Sequence, residues 1–424
     1  MLDKLREKNK LNKYLLLAIV IALSGILYWC VYFMILFHLL PPIGGRILPL
    51  GGDFYIYYNA AKIFLSGGDI YNNTGFVYPP LAIVLYLPFA NLNFNQAFVL
   101  MSLLNLFIFA VTILFIIKIL HHYNVILSIP KKILLFFVIF LFYPVCSSFC
   151  RGQINILILF LITIFYYQIL MNKNLSAGIS LTIATILKIF PASLVFLGFF
   201  LRKIKIVVSY LLTFIACCLI SAFLFGIHTN IRFIETVRGF SAPPTFGFAS
   251  RYFDGSASGM FFKLFGVFNT SESFQEVFVI IWTIVRIIFV LFVLFYLYKI
   301  SKNEKLLNSK EWEILIFSLM ISLTLVLPNS SSAGYAMFLI VPYVLYFFVL
   351  HLSDIEELLL LISLILFSYH THAIYSSTII GGQIATLIYI ISPAMCANIL
   401  FLFLTLRKIT KIKNIYSKLI FDND

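Results

Sequence analysis

Residues 277–299 read VFVIIWTIVRIIFVLFVLFYLYK, apolar but for Thr283 and Arg286 until the closing lysine. A helix needs about 20 such residues to cross the hydrocarbon core of a bilayer, and this run is long enough. Lipid offers backbone groups no hydrogen bonds, so only helices and closed barrels span it. A run this continuous lacks the alternation of a barrel strand. Similar apolar stretches fall near residues 14–38, 95–120, 133–148, 153–171, 175–187, 190–201, 206–227, 312–328, 334–351, 356–370 and 380–406. The pattern predicts an all-α, polytopic integral membrane protein with about 12 transmembrane helices. Residues 14–40 are too long for a signal-peptide core and read as a retained first span.

Composition agrees. Of 424 residues 62% are hydrophobic and only 11% charged, against roughly a quarter charged in soluble domains. The net charge of +14 would suit nucleic acid, but its distribution excludes that partner. Basic clusters at residues 4–13, at Lys131-Lys132, at Arg202, Lys203 and Lys205, at 299–310 and at 407–418 each flank an apolar run, the positive-inside pattern. This topology predicts a plasma or inner membrane protein with cytoplasmic tails at 1–13 and 407–424. It leaves two long external regions, 41–94 and 228–276, within a single domain over 1–424. None of the six cysteines forms a C-x-x-C pair, so no redox motif or zinc knuckle is indicated.

The first external region holds an amphipathic helix candidate from Asp53 to Ser66, a Gly67-Gly68-Asp69 turn, and Tyr78-Pro79-Pro80 opening a short apolar helix over 81–90. Asp53 follows two glycines at a helix start, where an N-cap is the plain reading. A carboxylate at a membrane boundary also suits proton abstraction from a polar substrate. Tyr57 shares its helical face, and an acid beside an aromatic ring suits a sugar, with its hydroxyls and apolar C–H face.

Lys188 is the most unusual charge. Lys173 and Arg202 both read as cytoplasmic, and only residues 174–201 separate them. Two crossings leave about 13 residues each, roughly 20 Å of helix, short of the ~30 Å core. Either two short helices meet at Lys188-Ile189-Phe190-Pro191, or one long tilted span passes through. A lysine inside a membrane segment is costly and points to function. A lipid phosphate would satisfy it; snorkelling is the bland reading.

The run Arg151-Gly152-Gln153-Ile154-Asn155 is polar at membrane depth, which is costly unless it faces a polar cavity. Arg251 and Asp254 stand in the second external region, where solvated loop charge is the simpler reading. His370-Thr371-His372 lacks a third ligand, so no metal site is expected. No P-loop is present. A D-x-D match occurs only at Asp422-Asn423-Asp424, which disfavours a metal-dependent nucleotide-sugar transferase. Arg286, deep in its span, reads as structural, paired to a carbonyl or other polar group.

Three stretches resemble glycosyltransferase family 87. Gly52-Asp53-Phe54-Tyr55 with Ala60-Ala61, Gly68-Asp69-Ile70-Tyr71 and Tyr78-Pro79-Pro80-Leu81 is similar to its first external loop. Arg151-Gly152-Gln153-Ile154-Asn155, then Ala177-Gly178 and Leu187-Lys188-Ile189-Phe190-Pro191, resembles its central motif. Leu327-Pro328-Asn329-Ser330 with Tyr335 and Pro342 resembles its later external turn. Family members often carry histidines after that turn; this chain has Ser331-Ser332-Ala333-Gly334-Tyr335, which leaves Tyr335 in their place.

The resemblance implies a GT-C-like enzyme moving mannose from a polyprenyl-phosphate-linked donor to a glycolipid or glycan acceptor, with no metal or other cofactor. It implies Asp53 as catalytic base, and Lys188, Arg151 and Arg251 as holders of the donor phosphate. Tyr57, Tyr78, Gln153, Asn155, Asp254 and Tyr335 would bind sugar or acceptor. A transporter or flippase for a lipid-linked saccharide would use the same groove and lysine without a base. Such proteins often show paired halves with broken helices, a symmetry this sequence lacks. A structural subunit would not need external polar residues beside the membrane.

Overall fold

The computed structural model describes residues 51–72, 74–241, 271–327, 333–368 and 393–421, with six isolated residues besides. Among these, every regular element is helical. The α-helices are α1 (Gly52–Leu65), α2 (Phe94–His122), α3 (Ile129–Phe140), α4 (Tyr143–Arg151), α5 (Asn155–Leu170), α6 (Asn174–Leu187), α7 (Phe196–Phe200) and α8 (Ile204–Ser241). They continue with α9 (Glu272–Ile300), α10 (Glu304–Leu307), α11 (Lys310–Val326), α12 (Ile340–Phe348), α13 (Asp354–Ser368) and α14 (Pro393–Phe421). Short 3-10 segments cover Pro80–Leu85, Leu87–Phe89, Phe190–Val195 and Ala333–Leu339.

Three described helices, Phe94–His122, Ile204–Arg238 and Val277–Ile300, are long and apolar enough to cross a membrane. With the shorter apolar helices they make the chain a helical membrane protein. Side-chain caps start several helices where the sequence offers them: the Gln96 N–H donates to Asn93 at α2, and the Trp312 N–H to Ser309 at α11. The centre of the bundle is α5 and α11, where Tyr166 stacks on Phe317 with ring centres 4.1 Å apart. Helices α2, α8 and α9 face outward and expose leucine, isoleucine and phenylalanine, as lipid contact requires. At one edge α13 and α14 are tied by a buried pair, Lys408 Nζ donating to Glu356 at 2.9 Å.

Proline and glycine account for most differences from the expected spans. The span read over 133–148 is two helices, α3 and α4. Pro144 lacks an N–H, and its ring would clash with the carbonyl four residues back, that of Phe140, where α3 stops. The Cys146 thiol donates to that carbonyl at 3.2 Å. The helix read over 81–90 is two 3-10 turns, with Pro80 and Pro88 at their starts. The span read over 190–201 is a 3-10 segment and the short α7. The span read over 206–227 continues as α8 through a kink at Gly226 (φ +78°) into residues read as external loop. Helix α14 extends to Phe421, through most of the stretch read as a tail.

The segment around Lys188 is a hairpin. Helix α6 ends at Leu187, and Lys188 itself is extended (φ −160°, ψ 125°). The chain then turns through Phe190–Val195 and α7. Lys203 Nζ donates to the Ile169 carbonyl at 2.9 Å, so the chain returns to the end from which α6 set out. Small residues let α6 lie close against α8. A Cβ on Gly178 would stand 2.6 Å from the Ile206 carbonyl oxygen, and Thr182 donates to the Tyr210 carbonyl at 3.1 Å.

Candidate active site

Asp53 sits in the first turn of α1, yet it does not cap it. The N-cap is Gly51, in the left-handed region (φ +74°), and its N–H donates to the Cys150 carbonyl at 2.8 Å. The start of α1 is thereby fixed against the end of α4. Helix α4 stops at Arg151 because Gly152 takes the left-handed conformation (φ +63°) that terminates helices. A Cβ there would stand 2.7 Å from the Phe54 Cβ and 3.0 Å from the Phe98 ring, so only glycine fits.

That turn aims Arg151 and Gln153 at Asp53. Arg151 grips the carboxylate with two N–H donors, Nε to Oδ2 at 2.9 Å and Nη2 to Oδ1 at 2.7 Å. The Gln153 amide donates to the same Oδ2, and the Asn155 amide donates to Gln153 Oε1. Lys188 Nζ completes the series, donating to Asn155 Oδ1 at 2.8 Å. Each link donates in the same sense, from ammonium through two amides to carboxylate, an arrangement in which hydrogen bonds polarise one another. The line also runs inward. The Asp53 and Arg151 side chains are 17% and 24% exposed, while Asn155 is fully buried and Lys188 nearly so.

Aromatic rings enclose the lysine. Its ammonium lies 3.9 Å from the centre of the Tyr335 ring and 5.4 Å from that of Tyr78, within cation–π range. Tyr335 stacks on Phe190 from the hairpin. Tyr57 packs against Tyr78 and stacks on Tyr86 at 4.7 Å. Burial raises the pKa of Tyr57, Tyr78 and Tyr86, and the nearby Asp53 carboxylate adds to it, so all three remain neutral phenols. The Tyr86 hydroxyl finds no hydrogen-bond partner among the described residues.

The structure thus brings Asp53, Tyr57, Tyr78, Arg151, Gln153, Asn155, Lys188 and Tyr335 together. Arg251 and Asp254 lie outside the described residues, as do His370, His372 and the Asp422–Asp424 stretch. Asp69 is a turn residue, accepting from the Tyr71 N–H at 2.9 Å. Arg286 donates to the Leu327 carbonyl at 2.6 Å and to Thr283 at 2.9 Å, a structural role. Tyr86 was not legible in advance. It stands in a short apolar run that gives no sign of which ring it will meet.

A family model, glycosyltransferase family 87, matches residues 76–328, more than half of the chain. The matched stretch holds Tyr78, Arg151, Gln153, Asn155 and Lys188; Asp53 and Tyr57 precede it, and Tyr335 follows it. A search of curated proteins found no match.

Proposed function

Since the chain belongs to glycosyltransferase family 87, we propose that it moves a hexose, mannose by resemblance, from a polyprenyl-phosphate-linked donor to a glycolipid or glycan acceptor. The chemistry takes place on the external face of a GT-C-like bundle of about twelve spans with cytoplasmic termini. One observation carries the donor assignment. Lys188 is buried, and no carboxylate forms an ion pair with it among the described residues; an amide and two rings are what face it. A buried ammonium so placed is costly, and a phosphate oxygen is the partner that would offset that cost.

In this mechanism an acceptor hydroxyl oxygen attacks the anomeric carbon as the bond from that carbon to the phosphate oxygen breaks. The bonding pair leaves with polyprenyl phosphate, and the hydroxyl proton passes to Asp53. Attack from the face opposite the leaving group inverts the anomeric configuration, so a β-linked donor gives an α-linked product. Lys188 meets the charge that develops on the phosphate. Arg151 joins it in sequence. Once Asp53 is protonated its hold on the guanidinium weakens, freeing that charge as the phosphate departs. Gln153 and Asn155 hold Asp53 and Lys188 in register, the part-exposed Tyr78 and Tyr335 meet the sugar with the buried Tyr57 packed behind Tyr78, and Arg251 and Asp254 contribute from the second external region.

The test is transfer of label from polyprenyl-phosphate-[14C]mannose to a crude lipid acceptor by purified protein. Wild type forms product and Asp53→Asn forms almost none at equal expression. Absence of transfer by wild type from this donor, with transfer from a nucleotide-linked sugar, would overturn the reading.

A further inference from the structure

A polar cavity of about 420 Å³ lies at the far end of the helices that carry the Asp53 site. Helix α5 runs from Asn155 at that site to Leu170 beside the cavity, 16 residues or about 24 Å away. Its walls include Asn124, Asn172, Asn308, Lys203, Lys310 and Glu313. The volume falls in the range of small-ligand sites.

Two cations and a set of amides give the walls their chemistry. Lys310, the first residue of α11, is exposed at the cavity wall, where its ammonium is open to an anion. It makes no ion pair among the described residues. Lys203 donates to the Ile169 carbonyl at 2.9 Å and stands 3.5 Å from Glu313, which holds its ammonium at the cavity wall. Asn124 (φ 62°), Asn172 (φ 56°) and Arg202 (φ 52°) are the non-glycine residues with positive φ among those described, and each ends a helix at this cavity or next to it. Glycine would make those turns at less cost; asparagine at two of them keeps a carboxamide on the wall.

The rim is apolar. Ile126, Leu175 and Ile204 are 80%, 60% and 54% exposed, and each follows a cavity residue by one to three positions. Helix α2 ends here and α8 begins here, so the cavity opens where two apolar spans meet the bilayer surface.

We propose that this cavity holds the headgroup of an anionic, hydroxylated phospholipid from the leaflet at that end. Lys310 and Lys203 take the phosphodiester, the asparagine amides take the headgroup hydroxyls, and the acyl chains lie along Ile126, Leu175 and Ile204. The site is independent of the sugar transfer proposed above.

The experiment uses the full chain in detergent, with retained lipid counted by native mass spectrometry against phosphatidylglycerol, phosphatidylcholine and free glycerol 1-phosphate. Wild type should retain phosphatidylglycerol about tenfold over phosphatidylcholine, whose choline offers the asparagines no hydroxyl and turns a cation towards the two lysines. Lys310→Gln, close in size and far from Asp53, should lower retention of phosphatidylglycerol about tenfold, the worth of one charge-assisted hydrogen bond to the phosphodiester, with the melting temperature in lipid-free detergent unchanged. Lys310→Glu should do the same more strongly. Equal retention of both lipids by wild type, or undiminished retention of phosphatidylglycerol in both variants, overturns the proposal. Binding of glycerol 1-phosphate as tight as that of the lipid overturns its lipid part and leaves a soluble anion as the ligand.

Discussion

The ammonium of Lys188 lies over the ring of Tyr335, 3.9 Å from its centre, although 147 positions separate the two residues in sequence. The contact joins the tip of the α6–α7 hairpin to the segment after α11, and it needs the ring face rather than the hydroxyl. Tyr335→Phe should therefore keep donor KM, while Tyr335→Leu should raise it by roughly tenfold, the worth of a desolvated cation–π contact. A Leu variant with unchanged donor KM removes the ring from the site.

Asp53→Asn preserves size and removes the proton acceptor. Turnover should fall by about a thousandfold, within what general base catalysis supplies, while donor KM shifts little. Steady-state transfer measured across donor concentrations separates the two. A variant that loses only donor affinity would make Asp53 a holder of Arg151 and no base.

Gly152→Ala forces a methyl group into the 2.7 Å gap to Phe54 and a side-chain-bearing residue into left-handed geometry. The conformational part alone costs about 1–2 kcal/mol. The melting temperature in detergent should fall by several degrees, and activity should fall further as Arg151 and Gln153 lose their aim at Asp53. An alanine variant as stable and active as the parent contradicts this account of the turn.

Lys408→Met leaves Glu356 buried without its nearest cation. Breaking such a pair from one side costs about 3–5 kcal/mol, whereas replacing both partners with apolar residues is nearly neutral. The double variant Lys408→Met/Glu356→Leu should recover most of the loss in chemical unfolding. Equal instability of single and double variants would show that packing, rather than the stranded carboxylate, sets the cost.

The sequence carried the apolar helices because lipid contact writes itself into composition. Helix α2 was readable to within a few residues, and α1 to within one. Proline-made breaks were harder: hydropathy stays high from residue 133 to 148, and nothing in it registers that Pro144 cannot continue a helix past Phe140. Of the site, Asp53, Lys188 and the Arg151–Asn155 run stood out because charge and amide groups are costly at membrane depth. Their connection did not. Gln153 meets Asp53 across 100 positions and Lys188 meets Asn155 across 33, distances at which a single chain gives no register. Asp53 also read first as a helix cap, a role that Gly51 takes by geometry.

From Asn174 to Lys203 the polypeptide goes out and comes back to the level it left. It therefore adds nothing to the parity of crossings, and every later segment keeps its orientation whether or not this piece is there. The hairpin can change its length or tilt, and so the depth of the ammonium at its tip, without turning the rest of the protein inside out. A single added crossing would have no such freedom.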